Sequence, residues 1–278
     1  MLNKFNIIVV DPPYNFKDML SMSDVARGAE ANYGTMTISQ IKQLPIKSIS
    51  APDGAVLALW VPSSLLQEGL DIMKDWGFNH KQTYIWVKTK IDPLKNIRSL
   101  FFDSWKNDIK PLGNFTDKSF KDTIKKSIKL IDIFTKGAKL IQDTLAFGMG
   151  RLFRQTHEIC LIGTNNNGIY KKLQNKSQRS VCFAQNLKHS AKPELLQDSL
   201  DIMFPSLDEN ISKIEIFARR QRKGYLCLGN QAPMTYGEDI VISLNKLIKN
   251  NIKDISEIVS NYNSNKDKEL FALWMNKN

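Results

Sequence analysis

The sequence predicts an α/β fold, a mostly parallel sheet with helices on both faces, and two observations carry that prediction. Ile7-Ile8-Val9-Val10 is an unbroken β-branched run, which suits a strand covered on both faces. Further on, Gly54 to Val61, a helical stretch with Leu65, Leu66, Leu70, Ile72 and Met73 on its inner face, and Gln82 to Val87 succeed one another at the spacing of a strand–helix–strand crossover. A chain of 278 residues with 42% hydrophobic content can bury the core of one large domain, or of one domain carrying an insertion.

The first strand stops at Asp11-Pro12-Pro13-Tyr14. Neither proline donates to a ladder and each fixes its own φ, so the turn is stiff and its carbonyls point in set directions. In open α/β sheets ligands bind at the carboxyl ends of strands, where Asp11 falls. These groups suit an attack by the exocyclic amine of a base. That nitrogen is a poor nucleophile because its lone pair is delocalised into the ring. A carboxylate (Asp11) and a backbone carbonyl (Pro12), each accepting one of its hydrogens, favour the more tetrahedral nitrogen that can attack. An aromatic such as Tyr14 can stack on the base, worth roughly 1–3 kcal/mol. The competing reading is a plain Pro-Pro turn with a surface acid and tyrosine.

Residues 15–32 are polar without periodicity and read as a loop over the site. Tyr33 is either a gate that packs on the substrate base or a loop aromatic capping the core. Ile38 to Leu44 has helical spacing, with Thr37 as N-cap and Pro45 closing it. After the second strand, Pro62-Ser63-Ser64 starts a helix that Trp76-Gly77-Phe78 stops. The stretch from Lys90 to Thr144 breaks the rhythm and is too long for a structureless loop in a compact domain, so it reads as an insertion. The core resumes with a loop carrying Arg151 and Arg154, a strand over His157 to Gly163, a short strand over Arg179 to Ala184, and a helix from Glu194 to Met203 preceded by Lys192-Pro193. Lys213 to Arg219 and Tyr225 to Leu228 are the last strands. Glu215, an acid in an apolar strand, requires a strand end or a partner. The predicted organisation is a domain over residues 1–236 and a helical extension over 237–278, beyond the core.

The net charge of +11 points to a polyanion, with nucleic acid ahead of an anionic membrane; a lysine-rich solvated surface is the bland alternative. From Arg151 to Lys192 eight lysines and arginines face one acid, Glu158, which makes this stretch, with Arg151 and Arg154, the candidate phosphate-contacting surface. Lys192 before a helix start suits an anion, or is an ordinary exposed lysine. Cys160, Cys182 and Cys227 lie far apart in apolar runs and read as buried free thiols of a reducing compartment, and the three histidines lack metal-ligand spacing. The amino terminus offers no long apolar segment, so the expectation is a cytoplasmic protein without membrane association.

Taken together, Asp11-Pro12-Pro13-Tyr14, Tyr33-Gly34-Thr35-Met36, Leu59-Trp60-Val61, Trp76-Gly77-Phe78, Trp86-Val87-Lys88-Thr89, Glu158 with Cys160-Leu161, Ser190 with Lys192-Pro193, Ile214-Glu215 with Phe217 and Arg219, and Gly229-Asn230-Gln231 resemble the blocks of the adenine N6-methyltransferase family, in that family's order. The family includes the catalytic subunit of the messenger-RNA methylation complex and bacterial and phage DNA methyltransferases. The resemblance implies a Rossmann-like fold with the catalytic block ahead of the cofactor blocks, and S-adenosylmethionine as methyl donor. It implies that Asp11, Pro12, Pro13 and Tyr14 form the catalytic turn, which also borders the cofactor at Asp11. Lys192 would bind the cofactor carboxylate, Glu215, Phe217 and Arg219 would line its site, and Arg219, Asn230 and Gln231 would lie near its ribose and adenine.

Tyr14 stands where RNA-modifying members have tryptophan and where DNA enzymes commonly have tyrosine, so the expected substrate is DNA adenine rather than RNA. The upstream acidic segment that reads the cofactor adenine in the RNA enzyme has no counterpart in the ten residues before Asp11. The insertion and the tail are expected to serve target recognition or a homodimer or heterodimer. A different class also stays open, a non-catalytic nucleic-acid-binding subunit, although such subunits typically lose the turn that this chain keeps.

Overall fold

The computed structural model describes residues 4–15, 34–89, 145–146, 148, 152–185, 191–207, 212–229 and 240–249. Within them run β1 (Ile7–Val10), α1 (Ile38–Lys42), α2 (Ile46–Ile49), β2 (Val56–Val61), α3 (Leu66–Asp75), β3 (Asn79–Thr89), β4 (His157–Thr164), β5 (Val181–Gln185), α4 (Leu195–Met203), β6 (Lys213–Ile216), β7 (Leu226–Leu228) and α5 (Ile240–Lys249). The strands form one sheet in the order β5-β3-β4-β2-β1-β6-β7. The pairs β1–β2, β1–β6, β6–β7 and β3–β5 are parallel and β2–β4 is antiparallel, so the sheet is mixed but mostly parallel, as an α/β Rossmann-like methyltransferase fold has it.

The chain divides into two compact units, Met1–Tyr84 with Ile159–Ser180 and Leu195–Asn278, and Ile85–Glu158 with Val181–Glu194. In the first, alternate residues of the central strands face opposite layers. Ile8 and Val10, Leu57 and Leu59, Leu161, Ile214 and Ile216 point into a core shared with Ile41 of α1, Ile46 and Ile49 of α2, Ile72 and Met73 of α3, and Leu244 and Leu247 of α5. The helix after residue 237 therefore sits in the main core rather than beyond it. Its Leu244 and Leu247 are fully buried, because their spacing of three puts both on one helical face.

The opposite face of β6 carries Lys213 and Glu215, and α4 covers it. Gln197 Nε2 donates to Glu215 Oε2 at 3.1 Å and Lys213 Nζ pairs with Asp201 Oδ1 at 2.7 Å. Residues four apart on a helix rise about 6 Å and residues two apart on a strand about 6.6 Å, so the two contacts fit only with helix and strand antiparallel. Asp201 also pairs with Arg222 at 2.7 Å, and Arg222 reaches Asp198 at 2.6 Å. The Lys213 ammonium and the Arg222 guanidinium lie 5.6 and 5.5 Å from the ring centroid of Tyr225.

Local sequence accounts for the element ends. Thr37 caps α1 in a reciprocal box, its hydroxyl accepting from the Gln40 amide at 3.3 Å while Gln40 Oε1 accepts the Thr37 amide at 2.8 Å. Gly77, at φ 82°, ends α3 as only glycine does without strain. Two expectations are corrected. Leu66 of α3 is exposed, and Gly69 takes its inward place against Val61, where a side chain would collide. The strand begun at Lys213 stops at Ile216, three residues early. In the sheet order β4 lies between β2 and β3, a placement on which the sequence made no prediction. Among the described residues no helix is long and apolar enough to cross a membrane, and Cys160, Cys182 and Cys227 are buried with none in a disulfide.

Candidate active site

The site in the first unit is built where β1, β6 and β7 end side by side. The Asp11 amide donates to the Ile216 carbonyl at 3.3 Å, the last link between β1 and β6, which sets Asp11 beside the point where β6 stops. There Phe217 takes φ 66°, a left-handed conformation that costs an L-residue about 1–2 kcal/mol. The Ala218 amide, donating to the Leu228 carbonyl at 2.9 Å, holds this turn against β7. Gly229, directly after β7, lies so close that a Cβ there would fall 2.7 Å from Ala218 N and 2.9 Å from Phe217 C, and closer still to the Ala218 carbonyl oxygen. Only three residue pairs join β6 to β7, so the nine residues 217–225 suffice to return the chain without a crossover helix.

The proline turn is clamped by its backbone. The Pro13 carbonyl accepts the Met36 amide at 2.7 Å, the Asn15 amide donates to the Met36 carbonyl at 3.0 Å, and the Tyr14 amide donates to the Pro12 carbonyl at 2.9 Å. A carbonyl has two lone pairs, so the Pro12 oxygen has capacity for a second donor. Asp11 is half-buried. Tyr14 differs from the exposed aromatic the sequence suggested. It is 4% exposed, and its hydroxyl donates to the Trp60 carbonyl at 3.0 Å. Burial first, then the negative charge of Asp11, push its pKa well above the usual tyrosine value, so the hydroxyl remains a donor throughout the physiological range. In this structure the ring braces the turn from inside the core.

Of the residues assigned to the cofactor, Glu215 is half-buried and held by Gln197, Phe217 packs partly against the core, and Arg219 follows on the same turn, half-exposed. The second unit contains Lys192, in a cluster centred on Glu158 that the sequence did not predict. Glu158 Oε2 pairs with Lys192 Nζ at 3.0 Å and Glu158 Oε1 pairs with Lys88 Nζ, with all three side chains between 15% and 22% exposed. Burial raises the Glu158 pKa, but the charges and hydrogen bonds of Lys192 and Lys88 outweigh it and hold the carboxyl below the ordinary glutamate value. Arg154 is exposed in this unit. Tyr33, Arg151, Asn230 and Gln231, and the insertion from Lys90 to Thr144, lie outside the described residues. Sequence reasoning gave no role to Glu158, Lys88 or Gln197. For Glu158 a signal existed, one acid among eight cations.

The MT-A70 family model matches residues 5–108 and 121–231, leaving residues 109–120 between the two stretches. The chain is 23% identical over 233 residues to an N(6)-adenosine-methyltransferase MT-A70-like protein of Arabidopsis thaliana, covering 83% of this chain and 24% of that protein. It is 29% identical over 89 residues to the human N(6)-adenosine-methyltransferase catalytic subunit METTL3, covering 32% of this chain and 13% of METTL3. It is also 21% identical over 245 residues to the type II methyltransferase M.MunI of Mycoplasma sp, covering 83% of this chain and 78% of that enzyme. The chain spans about a quarter or less of the length of the eukaryotic relatives. With the proline turn, the three strand ends beside it and a family match over most of the chain, the protein belongs to the MT-A70 family of N6-adenine methyltransferases.

Proposed function

We propose that the protein is a DNA adenine N6-methyltransferase that uses S-adenosylmethionine. The observation that carries this reading is the placement of Asp11, tied through its own amide to the Ile216 carbonyl at the carboxyl edge of the sheet, on a turn clamped by Met36 and Tyr14. Asp11 and the Pro12 carbonyl would each accept one hydrogen of the target amine, turning its lone pair outward, while Tyr14 keeps the turn rigid. Catalysis of this kind is mostly positioning. Each donor group, taken within its own unit, has chemistry that suits the cofactor. Glu215, fixed by Gln197, is an acceptor for hydroxyls, and Lys192, fixed by Glu158, is a cation for a carboxylate. Phe217 and Arg219, with Asn230 and Gln231, would complete the cofactor contacts, and Tyr33, Arg151 and Arg154 would meet the substrate. When bound, S-adenosylmethionine supplies an electrophilic methyl on a sulfonium centre.

DNA is favoured by Tyr14 at the aromatic position and by a match that runs over 78% of the type II methyltransferase, against 13% of METTL3. The names of the eukaryotic relatives favour a second reading, RNA adenine methylation. The test is transfer of labelled methyl from S-adenosylmethionine to unmethylated genomic DNA, with nucleoside analysis and matched RNA in competition. N6-methyladenine in DNA is the expected product. Asp11→Ala is expected to lower the rate by roughly 10²–10⁴-fold. Transfer to RNA alone, or an unimpaired Asp11→Ala, would refute this reading.

A further inference from the structure

Leu152 and Phe153 are 93% and 87% exposed. Single apolar residues at a surface are ordinary, but two large ones side by side in water mark a contact. They sit in a loop closed by a reciprocal backbone pair, Gly148 N–H to the Gln155 carbonyl at 3.2 Å and Gln155 N–H to the Gly148 carbonyl at 3.3 Å. Beyond that pair both arms of the loop bond to the backbone of Lys88. The Lys88 amide donates to the Thr156 carbonyl and the Lys88 carbonyl accepts the Ala146 amide, each at 2.8 Å. Lys88 in turn pairs with Glu158, which holds Lys192. The apolar tip is therefore joined through Lys88 to the Glu158 cluster.

The surroundings indicate what the tip meets. Arg154 follows Phe153 directly and is exposed, in a chain whose net charge is +11. Cations beside apolar side chains complement phosphates beside base faces. Proteins that distort a duplex insert phenylalanine or leucine between base steps, and an adenine must leave the stack before its amine can be reached. We propose that Leu152 and Phe153 form a wedge that enters duplex DNA and props open a base step. The inference rests on the reading of DNA as substrate.

The experiment uses the full chain and relaxed closed-circular plasmid treated with topoisomerase, in which an inserted wedge leaves a change in linking number, with binding to the same plasmid measured in parallel. The wild type is expected to unwind the plasmid. L152A/F153A should lose the unwinding and bind roughly tenfold or more weakly, and F153W, which keeps an aromatic face, should retain both. Unwinding by the double variant equal to wild type would overturn the wedge, as would a double variant that changes only self-association in sedimentation. Methyl transfer to DNA with unaltered unwinding in the variant would sink the wedge alone. Unwinding without any methyl transfer would sink the proposed activity and leave the wedge standing.

Discussion

A single methyl group added at three glycines separates close approach from backbone conformation. At Gly229 a Cβ would meet only backbone, at 2.7 Å from Ala218 N and 2.9 Å from Phe217 C, with the Ala218 carbonyl oxygen nearest of all. Backbone cannot swing aside as a long side chain can, so the Phe217–Ala218 turn would have to retreat by roughly 1 Å from a close-packed position. That stretches the Ala218 amide bond to the Leu228 carbonyl, now 2.9 Å, out of range. Loss of that bond costs about 1 kcal/mol and overpacking about 1–3, so Gly229→Ala should destabilise by about 2–4 kcal/mol. At Gly224, φ is 82° with nothing within 4 Å, and Gly224→Ala should cost only the left-handed strain, about 1–2 kcal/mol. Gly34 has open space and no positive φ, so Gly34→Ala should be neutral or stabilise by about 0.4–1 kcal/mol through the unfolded chain. Urea unfolding gives the three midpoints, and calorimetry with S-adenosylmethionine should find weaker binding only for Gly229→Ala, because only that change moves Phe217. A Gly229→Ala protein as stable as wild type, or a costlier Gly224→Ala, would refute the reasoning.

Two more perturbations follow from the ion pairs. The Glu158 carboxyl is held below the ordinary value near 4.5, so its contribution is present above that pH and is lost as pH falls through the depressed folded-state value. Glu158→Gln should remove that part of the acid limb of a stability-against-pH profile and cost roughly 1.5–3 kcal/mol at neutral pH, with the two lysines left facing an amide. An unchanged limb would count against the cluster. The second is an asymmetry at the Lys213–Asp201 pair, where Lys213 is 1% exposed. Asp201→Asn leaves a buried ammonium facing a neutral group and should cost about 3–5 kcal/mol, whereas Lys213→Met leaves Asp201 paired with Arg222 and should cost no more than about 1. Equal urea midpoints would contradict it.

What the sequence made legible follows from what sequence periodicity measures. Ile7 to Val10 and the Thr37 cap were readable because burial on both faces and capping leave local residue patterns. The place of β4 between β2 and β3 was not, because a strand's composition records its burial and not its partner. The early end of β6 depends on φ at Phe217, a residue type with no preference for that conformation, imposed by the close approach of Gly229. The acid Glu215 announced its need for a partner, yet Gln197 could be named only once α4 was docked, and Tyr14 looked like a surface aromatic until the Trp60 carbonyl was found behind it. Sequence also left Lys192 between a ligand cation and an idle lysine, since its pairing with Glu158 spans 34 positions.

The antiparallel fit of α4 on β6 also acts as a longitudinal lock. Sliding the helix by one turn toward the strand's carboxyl end would bring the Asp201 carboxylate opposite Glu215, and sliding it the other way would set Gln197 opposite Lys213 and take the amide away from Glu215. Apolar packing alone tolerates such slips, because one greasy face resembles itself a turn further on. Opposed polar identities do not. The point at which α4 begins is thus fixed by polar pairs on its covered face, and a change at Asp201 would be read at Glu215 as an amide that has moved out of reach.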